Sequence, residues 1–370
     1  MKLPPPKPRN FGLDLLRVLA MAGILFSHST VFKIPGLEPP PYPVQEVSAV
    51  FFVMIFFALS GYLFGEGCFR NEEGFSFGRH FLRRAIRILP VYYAALISTW
   101  LINHRESPIP WRCFFLIQNY KEKALGFMPV AWSLCVEEWS YLILALVFLL
   151  LTLIRVPKDK RMLIAAAALI AVSILVRIVT VCRDPFVNYD FGIRKQTFSS
   201  MDSFGYGILA AWLERKQPAW YRRFFGALPG LLIGGILIGL SAWGFTGLSL
   251  GNEPGIPVKI FGFTGFAVGA LCLVLVLKDL SLFRHRFFTC AQIPNAFLSK
   301  LTYPLYLIHF QFYIKWSNYC QYQGIVQRGE YILRAIGETL LWSLIVHLVM
   351  EIPLEFVRKK LAHKRTMRTE

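Results

Sequence analysis

The chain has 370 residues, of which 55% are hydrophobic and only 17% are charged, and its mean hydropathy is +0.48. Soluble domains carry charge on about 25% of their residues, so this composition excludes most soluble folds. The formal net charge of +18 comes from 40 Lys and Arg against 22 Asp and Glu. Because these cations fall in short clusters between apolar blocks, they disfavour a nucleic-acid partner and predict a polytopic membrane protein.

Ten stretches of the chain are long and apolar enough to cross the hydrocarbon core, which takes about 20 residues as a helix. We therefore predict an all-α integral membrane domain over residues 1–356 and a basic cytoplasmic tail over residues 357–370. The third and sixth segments are short and polar, so neighbouring helices should shield them. The predicted segments are 11–30, 49–66, 88–103, 129–153, 162–181, 198–213, 224–243, 258–277, 300–317 and 331–354.

The distribution of basic residues predicts the orientation, because loops rich in Lys and Arg stay in the cytoplasm. With the N-terminus inside, 26 of the 40 basic residues fall on the cytoplasmic side and twelve on the outer side. Both termini are therefore expected in the cytoplasm, in agreement with an even number of segments. The first segment contains Asp14 and Arg17 and no cleavage site follows it, so we expect a retained helix rather than a signal peptide.

The first segment carries ionisable side chains that are costly inside a membrane and so indicate function. Arg17 and His28 are eleven positions apart, which places them on one helical face about 16 Å apart along the axis. Asp14 precedes Arg17 by one turn on the same stripe. An imidazole suits proton transfer near neutral pH, and the arginine suits an anionic ligand. The alternatives are a hydrogen-bonded core histidine and an arginine that extends to the inner leaflet.

A basic run, FLRRAIRILPVYY, leads into the third segment from the cytoplasm. Arg83 and Arg87 are four positions apart on one helical face, and Arg84 lies beside them. Guanidinium groups bind phosphate oxygens in a bidentate manner, so this run is a candidate phosphate site. An anchor on anionic lipid explains the charge about as well.

The run WSLCVEEWSY puts two carboxylates near the outer end of the fourth segment. Glu137 and Glu138 project about 100° apart, so we do not expect them to face one cavity in the same way. A carboxylate here would orient His28 as the carboxylate of a catalytic triad orients its histidine, and a structural ion pair is the alternative. Four residues of the run are candidates for contacts with a substrate: Trp132, Ser133, Glu138 and Tyr141.

Two later segments add three further candidates. Tyr306 and His309 share a face of the ninth segment, in LTYPLYLIHF, although packing around the proline kink is the stronger explanation for them. Asp202 opens the sixth segment on the outer side, where it is either a pathway residue or a helix cap. The seven cysteines form no CxxC pair, so neither a metal site nor a disulfide framework is predicted.

These runs, in this order, resemble those of the membrane acyltransferase type 3 family, which includes bacterial O-antigen, peptidoglycan and macrolide O-acyltransferases. The resemblance extends over essentially the whole chain. One departure is Trp139-Ser140, where the family often has Gln-Phe. Some members also carry a C-terminal extracytoplasmic hydrolase-like domain, which is not expected in this chain. The five runs that carry the resemblance are LDLLRVLAMAGILFSH, FFALSGYLF, RRAIRILPVYY, WSLCVEEWSY and LTYPLYLIHF.

The resemblance implies transfer of an acyl group, usually acetyl, from coenzyme A to a carbohydrate or glycolipid hydroxyl in the bacterial cytoplasmic membrane. Arg17 and His28 then correspond to the essential pair of the family, and Glu137 to its acidic motif. The basic motif would be Arg83, Arg84 and Arg87, which would hold the acyl-CoA phosphates together with Arg17. His28 would act as general base or as a transient acyl carrier. The remaining substrate contacts would come from Asp14, Trp132, Ser133, Glu138, Tyr141, Asp202, Tyr306 and His309.

Other classes of function remain open at this point. Buried Arg, His and Glu also line the pathways of transporters and flippases for anionic or lipid-linked substrates. A catalytically silent sensor or assembly subunit is a third reading. The seventh segment has small-residue spacings, Gly230 to Gly234 and Gly235 to Gly239, that allow close helix packing and a homodimer.

Overall fold

The computed structural model of the chain describes residues 9–32, 42–70, 75–120, 126–247, 249–250, 253–280, 286–326 and 329–357. The predicted tail over 357–370 lies outside these residues except for its first position. The regular secondary structure of the described part is helical apart from a two-residue pairing of β1 (Ser249–Leu250) with β2 (Glu253–Pro254). The helices are α1 (Phe11–His28), α2 (Tyr42–Arg70), α3 (Phe77–Asn103), α4 (Trp111–Phe114), α5 (Trp132–Leu153), α6 (Lys158–Arg183), α7 (Asp202–Lys216), α8 (Pro218–Phe225), α9 (Ala227–Gly247), α10 (Phe263–Asp279), α11 (Arg286–Tyr322) and α12 (Gly329–Val346).

Short turns of tighter or wider helix adjoin these elements. Turns of 3₁₀-helix lie at Ser29–Val31, Pro129–Ala131 and Thr197–Ser199. Turns of π-helix lie at Tyr189–Arg194, Val258–Gly262 and His347–Glu351.

Eight helices of the described chain are long and apolar enough to cross a membrane, where the sequence predicted ten. The prediction of an all-helical, multi-span protein is thus confirmed. Of the other two predicted segments, 198–213 corresponds to α7, which has only 15 residues. The segment 300–317 lies inside the 37-residue α11, which contains Pro294 and Pro304. The eight spans are Phe11–Val31, Val47–Phe69, Phe77–Asn103, Pro129–Leu153, Lys160–Arg183, Ala227–Thr246, Val258–Asp279 and Gly329–Val357.

The predicted start of the third segment, at residue 88, is wrong by three helical turns. Helix α3 begins at Phe77, where the Ser76 side chain accepts a hydrogen bond from the backbone N–H of Arg79. A serine in this position satisfies a free N–H at a helix start. Hydropathy misses these turns because their arginines lower the average. The basic run therefore lies within the helix, whose side chains project into the protein at regular intervals.

Helices α1, α2, α7 and α10 form the centre of the bundle. Helix α1 packs on α2 and α11, and α2 packs on both α7 and α10. The contact between α2 and α7 is a backbone contact, because a Cβ atom on Gly207 would lie 2.5 Å from the Ala58 carbonyl oxygen. A Cβ atom on Gly61 would lie 2.2 Å from the Phe204 carbonyl oxygen. Glycines at this crossing let the two helices approach more closely than any side chain would allow.

The small-residue spacings of the seventh segment divide into two groups. A Cβ atom on Gly230 or Gly234 would meet side chains of α10, at Val276 and Cys272, so this spacing serves packing within the chain. No described atom lies within 4 Å of a Cβ placed on Gly235 or Gly239. A homodimer therefore stays a prediction, and it would rest on the second spacing alone.

Candidate active site

A large cavity lies between α1, α2, α3, α5, α7, α10 and α11, with a volume of about 1530 Å³. It runs from the helix ends near Arg9 and Lys278 to the middle of the bundle at Ser133 and Tyr306. Cations outnumber acids along its described walls, so the cavity favours an anionic ligand. The cations are Arg9, Arg17, Arg83, Arg84, Arg87, Arg215, Lys216, Lys278 and Lys300, and the acids are Asp14, Glu66, Glu137 and Glu214.

Asp14 organises the first group of cations at the start of α1. Its carboxylate is buried and accepts hydrogen bonds from Arg9 at 2.7 and 2.8 Å, from Arg17 at 3.1 Å and from Ser299 at 2.8 Å. The hydrogen bond to Asp14 raises the pKa of Arg9 above its usual value. Sequence reasoning placed Asp14 among the substrate contacts, whereas its oxygens are occupied by these donors. Its function in the structure is to hold two arginines at the cavity wall.

Arg84 is held by both carboxylates of the WSLCVEEWSY run. Its Nη2 lies 2.9 Å from a Glu137 oxygen, and its Nε donates to Glu138 at 2.7 Å. Its Nη1 donates to the Tyr141 hydroxyl at 3.2 Å, and its guanidinium carbon lies 4.1 Å from the centre of the Tyr141 ring. Glu137 lines the cavity and Glu138 does not, so the two glutamates do not face it in the same way, although both reach Arg84. Their side chains are long enough to converge on one guanidinium that α3 brings alongside α5.

His28 contacts His309 rather than Glu137, contrary to the sequence-based expectation. The His28 Nδ1 and the His309 Nε2 are 2.7 Å apart. His309 is fully buried, and its Nδ1 lies 2.8 Å from the Tyr306 carbonyl oxygen and 3.1 Å from that of Leu305. The reason for the difference is that α11, and not α5, packs against the end of α1.

The hydrogen-bond partners determine the tautomers of this histidine pair when both rings are neutral. Carbonyl oxygens only accept, so the His309 Nδ1 must carry the proton and the His309 Nε2 must have the lone pair. The His28 Nδ1 then donates to it. This leaves the lone pair of His28 on Nε2, where an imidazole acts as a base or nucleophile.

Tyr306 and Ser133 separate the histidine pair from the cavity. Both line the cavity, and their hydroxyl oxygens are 2.6 Å apart. The Tyr306 hydroxyl donates to the Val130 carbonyl oxygen at 2.8 Å, and its ring centre lies 5.9 Å from that of His309. The cavity therefore ends one layer of side chains from His28. A ligand that fills it would bring its inner end to this layer.

The structure separates the predicted site residues into two groups. The cavity wall includes Asp14, Arg17, Arg83, Arg84, Arg87, Ser133, Glu137, Tyr141 and Tyr306. The described wall does not include His28, Trp132, Glu138, Asp202 or His309.

Asp202 lies away from the cavity, in a buried ion pair that joins three helices. It is the first residue of α7 and contacts Arg177 of α6, whose side chain is fully buried. The hydroxyl of Thr264 on α10 donates to the same carboxylate at 3.1 Å. This position indicates a structural pair rather than a residue on a substrate pathway.

Sequence reasoning missed a cluster at the mouth of the cavity. The Lys278 ammonium donates to Glu214 at 2.5 Å and to the Tyr62 hydroxyl at 2.8 Å. Tyr62 in turn donates to the other Glu214 oxygen. These residues lie on three separate helices, α2, α7 and α10, and the sequence pattern gives Lys278 only a role in topology. Their association depends on helix packing that no local pattern reveals.

A second missed cluster lies in the π-helical turn between α6 and α7. Asp190 accepts from Arg194 at 2.6 Å and from Lys195 at 2.5 Å. Burial alone would raise the pKa of Asp190, but the two cations lower it below its usual value. The Arg194 guanidinium carbon lies 4.8 Å from the centre of a ring of the buried Trp132, the residue before Ser133. The spacing of Asp190 and Arg194, four positions apart, was the available signal.

The fold and the cavity define a helical membrane protein that offers a deep basic site to an anionic ligand. The family model for the type 3 acyltransferase domain matches residues 10–350, so the chain belongs to this family and is a membrane acyltransferase. The resemblance drawn from the sequence motifs is thereby confirmed. No curated protein and no solved structure gives a significant match. Within the described residues, no group of three or more His, Cys, Asp and Glu side chains could hold a metal ion.

Proposed function

We propose that the protein transfers an acyl group, most simply acetyl, from cytosolic acyl-coenzyme A to a hydroxyl of a carbohydrate or glycoconjugate. The membrane would be the bacterial cytoplasmic membrane, with both termini inside. The observation that carries the proposal is the basic cavity, which leads from the helix ends to the Tyr306 layer beside His28. A polyanionic head and a long neutral arm that ends in a thioester match this shape and charge.

The donor phosphates would rest on the cations near the mouth of the cavity. Arg84 is already neutralised by Glu137 and Glu138, so it supports the wall more than it supplies charge. Arg17, Arg83 and Arg87 line the same cavity and are better placed to meet phosphate oxygens, since Arg17 shares the carboxylate of Asp14 with a second arginine. The axial distance from Arg17 to His28 is about 16 Å, which the pantetheine arm can span.

His28 would supply the base through its Nε2. In the direct route, this atom takes the proton of the acceptor hydroxyl as the oxygen attacks the thioester carbonyl. The C–S bond then breaks, and the coenzyme A thiolate takes the proton back from the imidazolium. In the variant route, Nε2 itself attacks the carbonyl and the C–S bond breaks to release the coenzyme A thiolate. The acceptor oxygen then attacks the acyl group, the C–N bond breaks, and the proton of the acceptor hydroxyl passes to the thiolate. A positioned general base contributes about 10²–10⁴-fold in rate.

The test is release of free coenzyme A by the purified full-length protein in lipid nanodiscs, with acetyl-coenzyme A as donor and cell-envelope glycan as acceptor. Acceptor-dependent release, lost in His28→Ala and Arg17→Ala, is the expected result. His104→Ala is the matched control, because this histidine lies between α3 and α4 and outside the cavity wall. Wild-type transfer by His28→Ala, or substrate uptake into vesicles without thioester consumption, would show the proposal to be wrong. The second outcome would favour a transporter.

A further inference from the structure

Helix α8 exposes aromatic and basic side chains on the outside of the protein. Trp220 and Phe224 are 55% and 40% exposed, and their rings stack with centres 5.6 Å apart. Arg222 and Arg223 are also exposed, whereas Tyr221 is buried. Helix α8 contains no acidic residue. Exposed aromatic side chains beside arginines are typical of a helix that lies in the interface of a bilayer.

The helix that follows α8 in the sequence holds it at the membrane surface. The span α9 begins at Ala227, two positions after α8 ends, and Leu228 in its first turn is 68% exposed. Eight residues of helix extend about 12 Å, whereas the hydrocarbon core is about 30 Å thick. Helix α8 therefore cannot cross the membrane and cannot move far from it. Trp220 and Phe224, four positions apart, share one face of α8. The span α9 that follows exposes Leu228, Leu231 and Leu232.

We propose that α8 is a binding surface for anionic phospholipid headgroups. Trp220 and Phe224 insert at the boundary between headgroups and acyl chains, and Arg222 and Arg223 contact the phosphates. Guanidinium groups suit phosphate oxygens, and a helix without acidic residues of its own attracts anionic rather than zwitterionic lipid. Because α9 is a membrane span with exposed apolar side chains and begins two positions after α8, we identify the partner as lipid rather than another protein.

The buried side of α8 adjoins the mouth of the cavity. The Tyr221 hydroxyl donates to Asp279 at 3.1 Å, and the Lys278 ammonium lies 5.5 Å from the centre of the Tyr221 ring. Asn10, beside the start of α1, donates to the Lys278 carbonyl oxygen at 2.9 Å. The proposed headgroup site on α8 thus lies next to the mouth of the cavity. The lipid site itself does not depend on which ligand the cavity binds.

The charge component is tested with the full-length protein in nanodiscs of phosphatidylcholine alone or mixed with phosphatidylglycerol. Native mass spectrometry counts the lipids that stay bound. Arg222→Gln/Arg223→Gln should weaken phosphatidylglycerol retention by about 10- to 30-fold, since each arginine near the surface contributes about a factor of five. Arg222→Lys/Arg223→Lys should keep most of the phosphatidylglycerol retention of the wild type. The control Arg105→Gln/Arg183→Gln removes two exposed arginines near the C-terminal ends of α3 and α6. This control should change phosphatidylglycerol retention little.

The insertion component is tested by fluorescence quenching with brominated lipids. The difference between the wild type and Trp220→Phe isolates the signal of Trp220, and strong quenching of this difference is expected. Unchanged phosphatidylglycerol retention in the glutamine variant, or a Trp220 signal that brominated lipid does not quench, would overturn the proposal. A change from a dimeric to a monomeric particle in the glutamine variant would overturn it too, and would make α8 an interface between two copies.

Discussion

At the scale of single residues, the contact between His28 and His309 determines which imidazole nitrogen is available for chemistry. The two backbone carbonyls at the His309 Nδ1 fix the proton there, and the proton of His28 is fixed on Nδ1 in consequence. A buried hydrogen-bond partner that selects one tautomer performs the task of the carboxylate in a catalytic triad. In this protein the hydrogen-bond acceptor for His28 is the neutral imidazole ring of His309.

We predict that His309→Leu lowers kcat for acyl transfer by about 10- to 100-fold, less than removal of the base itself, which costs about 10²–10⁴-fold. His28 would retain its Nε2 but lose the partner that orients it, so KM for the donor should stay the same. His309→Gln restores an acceptor oxygen and should recover part of the rate. Steady-state kinetics of both variants make the comparison. A purely structural role would instead give equal losses in the two variants, with a raised KM.

Arg84 shows that the number of arginines in a sequence motif can overstate the positive charge that a ligand meets in the folded site. Three arginines in the run predicted a phosphate site, yet Arg84 faces two carboxylates and a tyrosine ring. Arg17 shares Asp14 with Arg9 in a similar way. For Arg84, partners more than fifty positions away in the sequence decide how much positive charge reaches a ligand.

At the scale of helices, the approach of α2 to α7 depends on glycine. The cavity is built partly from these two helices, since Tyr62 on α2 and Glu214 on α7 both line it. Gly207 faces backbone atoms of Ala58 and Tyr62, each 2.5 Å from where its Cβ would be. Backbone cannot swing aside as a side chain can, so any larger residue must separate the helices.

Gly207→Ala should therefore destabilise the protein by about 1–3 kcal/mol, the usual cost of overpacking. Gly235→Ala is the matched control, because no described atom lies within 4 Å of the added methyl group. This control should be neutral or slightly stabilising, since alanine is the better helix former. Thermal unfolding of the two variants in the same detergent compares them. Equal melting temperatures would contradict the close contact between α2 and α7.

At the scale of the whole molecule, the orientation in the membrane determines which compartment the cavity faces. The cavity mouth includes Arg9, Lys278 and Lys300, all from the side that the basic residues assign to the cytoplasm. A cytosolic donor requires this assignment to be correct. Two exposed cysteines, Cys182 at the end of α6 and Cys290 at the start of α11, lie at opposite ends of the bundle.

We predict that a membrane-impermeant maleimide labels Cys182 on the outer face and Cys290 only in inverted vesicles. The physical reason is that the reagent cannot cross the bilayer, so it reaches only the thiol on its own side. Mass spectrometry of the two peptides gives the result, with Cys182→Ser and Cys290→Ser as controls. Labelling in the reverse pattern would place the cavity mouth outside and remove access for a cytosolic thioester.

The sequence by itself indicated that the protein lies in a membrane, that it is helical, and which residues are candidates for chemistry. Apolar length and charge distribution are local properties, so eight of the ten predicted segments are spans in the described chain. The stripe of Arg17 and His28 is also local, because the helical repeat alone places both on one face.

Only the tertiary structure decided how these residues combine. His309 rather than Glu137 meets His28, because α11 is the helix that packs on the end of α1. Two glutamates converge on Arg84, and Lys278 joins Glu214 at the cavity mouth, through contacts between helices distant in sequence. Helix packing depends on the shapes of whole surfaces and on glycine contacts such as that of Gly207, and no local pattern in the sequence contains that information.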